Sequence, residues 1–127
     1  SGSIHESSKL ACSDCHNTMS RFSATGLLRN PSISETCQSC HGQQRAEFRK
    51  RSHMPLPEGK MSCSDCHNPH GSPNRRLLQL AQPMQCLQCH SLASNMHGAT
   101  LRGAQLRGCT NCHSAIHGSH SDPKLKY

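Results

Sequence analysis

Aromatic residues are almost absent from this 127-residue chain: no tryptophan, one tyrosine and two phenylalanines. Apolar residues of every kind reach only 32%, where globular chains average roughly 45–50%. An ordinary hydrophobic core is therefore excluded. Acidic residues are few as well, seven against 14 lysines and arginines, for a formal charge of +7. A surplus of that sign can serve nucleic acid or anionic lipid. Here the basic residues are scattered and stacking aromatics are missing, which excludes a nucleic-acid platform. No apolar run approaches the roughly 20 residues of a membrane-spanning helix. Nor is there an alternating run of useful strand length.

Cysteine and histidine are abundant, at ten and eleven. Every cysteine lies in one of five copies of a single motif: C12-S-D-C-H16, C37-Q-S-C-H41, C63-S-D-C-H67, C86-L-Q-C-H90 and C109-T-N-C-H113. C-x-x-C-H is the signature of c-type haem attachment. Positions i, i+3 and i+4 share one face of a helical turn. Cys12, Cys15, Cys37, Cys40, Cys63, Cys66, Cys86, Cys89, Cys109 and Cys112 are thus placed to form thioethers with the two vinyl groups of a porphyrin. His16, His41, His67, His90 and His113 follow as proximal iron ligands. Zinc would need two C-x-x-C pairs, or a pair with a spaced histidine pair, per site. Five pairs fit that poorly and leave the repeated histidine unexplained. A thioredoxin-like motif needs a βαβ setting that is absent. Five covalently bound haem c groups are expected, and they supply the missing interior. Their propionates would bring the charge to about +2 oxidised and about −3 reduced, so the basic surplus is largely neutralising.

Gaps of 20, 21, 18 and 18 residues separate the motifs. The odd motifs resemble one another, with periods of 51 and 46 residues. The chain reads as one domain, 1–127, with a weak two-haem repeat: 1–50, 51–96 and a half unit, 97–127. Helices are expected over 42–52, 74–82 and, more weakly, 100–107, each bounded by proline or interrupted by glycine. The rest is coil. A compact chain of this length has a radius of gyration of about 14 Å, so five porphyrins must lie close together. The expected fold is a multihaem cytochrome c: mostly coil with short α-helices wrapped around a stacked haem wire, with little or no β-structure.

Six histidines lie outside the motifs: His5, His53, His70, His97, His117 and His120. Five irons need up to five distal ligands, so bis-histidine ligation throughout is permitted. His5, His53, His70, His97 and His117 are the candidates, with His120 in reserve. A residue three or four past a proximal histidine lies only about 5–6 Å away on a helical turn. His70 therefore cannot share the His67 iron, nor His117 the His113 iron. The simplest pairing by proximity gives His5, His53 and His97 to haems one, three and five, His70 to haem two and His117 to haem four. Methionine is the other common distal ligand. Met19, three past His16, holds the place that His70 holds past His67. Met54, Met61, Met84 and Met96 suit gap-filling against apolar faces.

The runs H53-M-P-L-P-E-G-K-M-S-C-S-D-C-H-N-P-H-G-S72 and C109-T-N-C-H-S-A-I-H-G-S119 resemble the periplasmic multihaem cytochromes of the MtrA/DmsE/NrfB type. The resemblance covers about residues 35 to 120. It implies a continuous bis-histidine wire passing electrons from a quinol-oxidising membrane cytochrome to a terminal reductase or outer-membrane acceptor. It also implies a periplasmic or extracellular location and a place in anaerobic respiration or extracellular electron transfer. MtrA-type members carry ten haems and this chain five motifs, so a soluble pentahaem shuttle or one unit of a larger wire is expected.

Two axial histidines saturate an iron, so electron transfer rather than catalysis is the expected function. A multihaem reductase would need one open iron and a pocket of acid–base groups, which seven acidic residues hardly furnish. A third reading is a subunit of a polymeric cytochrome filament, self-associating through His120 or His5. The partners expected are redox proteins, with no nucleic acid and no membrane span.

Overall fold

Each C-x-x-C-H motif closes on itself. The amide of its histidine donates to the carbonyl of its first cysteine, at 2.9 Å in His16, His67, His90 and His113 and 3.0 Å in His41. In a computed structural model that describes residues 3–19, 27–90 and 108–127, these turns are the recurring element. Around them lie α1 (Ile4–Ser7), α2 (Cys12–Cys15), α3 (Ile33–Gln38), α4 (Gly42–Glu47) and α5 (Met84–Leu87). The third and fifth motifs open with 3-10 turns, Cys63–Asp65 and Cys109–Asn111. The only sheet among the described residues pairs β1 (Ser52–His53) with β2 (Gly118–Ser119), antiparallel, His53 opposite Gly118. A mostly coil chain with short helices is thus what forms.

The first and third motifs repeat bond for bond. Asp14 accepts from the Ala11 amide at 2.8 Å, and Asp65 from the Ser62 amide at 2.7 Å. Each carboxylate caps the turn that carries the motif. The chain then returns across its own motif. Asn17 donates to the Leu27 carbonyl and Asn68 to that of Leu77, at 2.6 and 2.7 Å. His16 bridges Leu28, and His67 bridges Leu78. In the third unit Ala115 donates to Leu125 at 3.1 Å. All three leucines have left-handed backbones, with φ of 48°, 57° and 58°.

This return explains a correction. The segment 74–82 is not a helix: it makes a 3-10 turn over Arg75–Leu77, with φ of 58° at Arg76 and 57° at Leu77. Helix propensity yields because Arg76 and Leu77 must turn their carbonyls back to the motif. The helix expected over 42–52 stops at Glu47, and Ser52 and His53 enter β1. The segment 100–107 lies outside the described residues.

Left-handed backbone costs a residue with a Cβ about 1–2 kcal/mol. Arg76 is exposed, so Arg76→Gly should raise stability by about 1 kcal/mol, seen as a higher denaturant midpoint. Leu77→Gly should not, because the Leu77 side chain is also buried.

Few apolar side chains are buried. Among the described residues only Phe48 and Leu77 are. Polar links hold successive motifs together instead. Buried Gln85 donates to the Asp65 carbonyl and accepts from the Leu80 amide, at 3.1 and 2.9 Å. Gln82 grips Thr110 through both the backbone amide and the hydroxyl.

Candidate metal centre

None of the ten cysteines is in a disulfide. They meet in chain order. Cys15 is pushed up by burial and by the neighbouring Cys40 thiol. Cys37 and Cys63 hydrogen-bond, which holds Cys63 down at about 6 and pushes Cys37 up. Cys66 rises through burial, with Asp65 and Cys89 adding to it. Burial and a hydrogen bond to Cys109 push Cys86 up to about 12. Each motif therefore abuts the next, from first to fifth, in an unbroken succession.

Imidazoles face one another at a recurring spacing. The ring centres of His5 and His41 are 6.1 Å apart, those of His16 and His70 5.9 Å, and those of His67 and His117 6.4 Å. Imidazole–metal bonds are about 2 Å and a ring nitrogen lies about 1.1 Å from its ring centre, so imidazoles on opposite sides of one metal ion stand roughly 6 Å apart. Each pair joins one proximal histidine to one histidine from outside the motifs.

The other ring nitrogen is also placed. His67 Nδ1 donates to the Arg76 carbonyl at 2.8 Å, and His113 Nδ1 to that of Lys124 at 2.6 Å. His5 Nδ1 donates to the Pro69 carbonyl at 3.1 Å. Such bonds fix the tautomer and leave Nε2 for a metal. The left-handed residues after the third and fifth motifs thus have a purpose: they aim a carbonyl at the proximal ring.

Family comparisons agree. The model of the doubled CXXCH motif matches residues 5–46 and 53–95. The chain belongs to the family of the doubled CXXCH motif, the multihaem c-type cytochromes. Among curated proteins, the multiheme cytochrome MtrA of Shewanella baltica (strain OS185) is 44% identical over 71 residues. That match takes in 56% of this chain and 21% of the relative, so the cytochrome spans a small part of that protein's length.

The residues present fit haem c. Among the described residues, no three His, Cys, Asp or Glu side chains gather into a site that could hold a metal ion alone. Two facing nitrogens need in-plane ligands, which a porphyrin provides, and two thiols on the adjoining turn provide its attachment. A cleft of about 960 Å³ lies beside the third motif; Phe48, Leu56 and Met61 give it apolar walls, and Arg45, Arg49 and Lys60 positive charge. Its chemistry suits a flat apolar ring edged with carboxylates. No helix among the described residues of the cytochrome is long and apolar enough to cross a membrane.

The structure pairs the histidines differently from the simplest sequence pairing. His5 faces His41 of the second motif, not His16. His70 faces His16, not His41, and His117 faces His67, not His90. The reason is the return of the chain: each odd unit projects its trailing histidine onto the odd motif of the unit before. Neither His70 nor His117 faces the motif it follows. His53 has both nitrogens engaged, Nδ1 with the Lys50 carbonyl and Nε2 with Glu58, each at 2.8 Å. The Glu58 hydrogen bond raises its pKa. His120 Nδ1 accepts from the Arg51 amide at 3.4 Å. For His90, no facing imidazole stands among the described residues; His97 and Met96 lie outside them.

Met19 sits in the same Asx turn as His70: its amide donates to Asn17 Oδ1 at 3.0 Å, and that of His70 to Asn68 Oδ1 at 3.1 Å. Its side chain is 85% exposed. Sequence reasoning missed Glu47, whose Oε2 accepts from His117 Nδ1 at 3.2 Å. Nothing in the sequence links two residues 70 apart. Burial holds the His117 pKa down, against the pull of Glu47.

Proposed function

We propose that the cytochrome is an electron-transfer protein carrying five covalent haem c groups, the facing histidines serving as axial ligands. The three imidazole pairs at 5.9–6.4 Å carry this reading. Haem c supplies a one-electron couple at the iron. The chain's residues would attach it and, at the three motifs with facing histidines, supply both protein ligands to the iron, leaving no site there for a substrate. His5, His70 and His117 are the distal ligands for the motifs of His41, His16 and His67. His53, His97 and the reserve, His120, are the remaining candidates for His90 and His113. The contiguous succession of motif thiols supports a relay from one end of the chain to the other.

On this reading the partners are redox proteins, a quinol-oxidising membrane cytochrome on one side and a terminal reductase or outer-membrane acceptor on the other. The location is the periplasm or beyond. The test is direct. The intact mass of the denatured protein should exceed that of the polypeptide by five haems. Electron paramagnetic resonance of the oxidised protein should show low-spin ferric iron at the paired sites. A substantial high-spin signal from the wild type would favour the reductase reading instead.

A further inference from the structure

Of His5, His67 and His117, one hydrogen-bonds a carboxylate. His5 and His67 donate Nδ1–H to backbone carbonyls, which are neutral acceptors. His117 donates to Glu47 Oε2. The carboxylate is held from its other side, where Gln43 Nε2 donates to Oε1 at 3.1 Å. Phe48, the next residue, is buried and meets the His117 ring edge-on, with centres 5.4 Å apart at 67°. The backbone closes the arrangement. A Cβ on Gly118 would lie 1.9 Å from the Glu47 carbonyl, so glycine alone allows β2 to lie this close. The His117 and Glu47 side chains are 29% and 22% exposed, which limits solvent screening of the pair.

A carboxylate on the outer nitrogen of a metal-bound imidazole raises its basicity. The bond is charge-assisted and stronger than one to a carbonyl. Greater donation and a nearby negative charge both favour ferric over ferrous iron, and such hydrogen bonding is one of the levers that sets haem potential. We propose that Glu47 is a potential-setting residue for the third motif, holding the His67–His117 iron at a lower potential than the His5–His41 iron. The inference rests on His117 being an axial ligand, as proposed above.

The experiment compares wild-type and Glu47→Gln holocytochrome in a potentiometric titration followed by low-spin electron paramagnetic resonance. A chemical reductant supplies one electron per iron, and no bond is made or broken. Glutamine can still accept the hydrogen bond but carries no charge. The expected result is a single haem whose ferric preference weakens about tenfold, a rise of about 59 mV for a one-electron couple. The other haems should be unmoved. If every potential stays where it was while the iron remains low-spin, the inference is overturned and the ligation reading stands. If His117→Ala leaves the low-spin spectrum intact, the ligation reading itself fails. Should Glu47→Gln not load haem, Gln43→Leu decides. Freeing Oε1 leaves a stronger acceptor for His117, so the same haem should shift downward. No shift there would also overturn the inference.

Discussion

Replacing His70 with alanine should convert one haem, that of the first motif, from low-spin to high-spin ferric iron. His70 faces His16 at 5.9 Å and lies across the chain from it, 54 residues on. An iron joining the two acts as a cross-link. By the loop-closure relation used for disulfides, a link of that span is worth about 4 kcal/mol. The variant should therefore lose up to that much stability, read as a lower denaturant midpoint, along with one low-spin signal. The third haem, though attached next to residue 70, should keep its spectrum. Loss of the low-spin signal from the second or third haem instead of the first would refute the pairing. His5→Ala gives the matched control, since its loss should fall on the second haem alone.

The second large effect is expected at Gly118. Its hypothetical Cβ meets two backbone atoms of Glu47, the carbonyl oxygen at 1.9 Å and the carbonyl carbon at 2.7 Å. No rotamer change relieves a clash with backbone. Gly118→Ala must push β2 away from the Glu47 backbone at the end of α4, straining its pairing with β1 and withdrawing His117 from Glu47 and His67. Overpacking costs typically about 1–3 kcal/mol. With an axial ligand displaced as well, a loss of about 3 kcal/mol or more is expected. It should come with high-spin character at the third haem, in circular dichroism melts and in the resonance spectrum respectively. Gly59→Ala is the comparison: that glycine has φ of 70° but nothing near its Cβ position. It should cost only the left-handed backbone, about 1–2 kcal/mol, with every iron unchanged.

The chemistry of the motifs was legible from spacing alone, because a thiol, a thiol and an imidazole on one turn have few other uses. So was the scarcity of regular structure, since the chain had little apolar material with which to bury helices. The helix expected over 74–82 failed because propensity describes a free segment. Arg76 and Leu77 answer instead to His67 and Asn68, whose hydrogen bonds draw the backbone back. The histidine pairing failed because proximity in sequence was taken for proximity in space. The clue was present in the repeat: His70 and His117 occupy the same place in successive units, as do their targets His16 and His67. Glu47 had no such clue. It reaches His117 only because β1 and β2 pair, and two-residue strands leave no periodic trace in a sequence.

The backward reach of each later unit also has a meaning in time. A chain is made from its amino end, and segments fold as they emerge. His16 appears long before His70, and His67 long before His117. On the proposed pairing, the first and third motifs would therefore wait for their partner imidazoles until the next unit has emerged and folded back. Assembly would then proceed like a zip whose every tooth is locked by the one behind it.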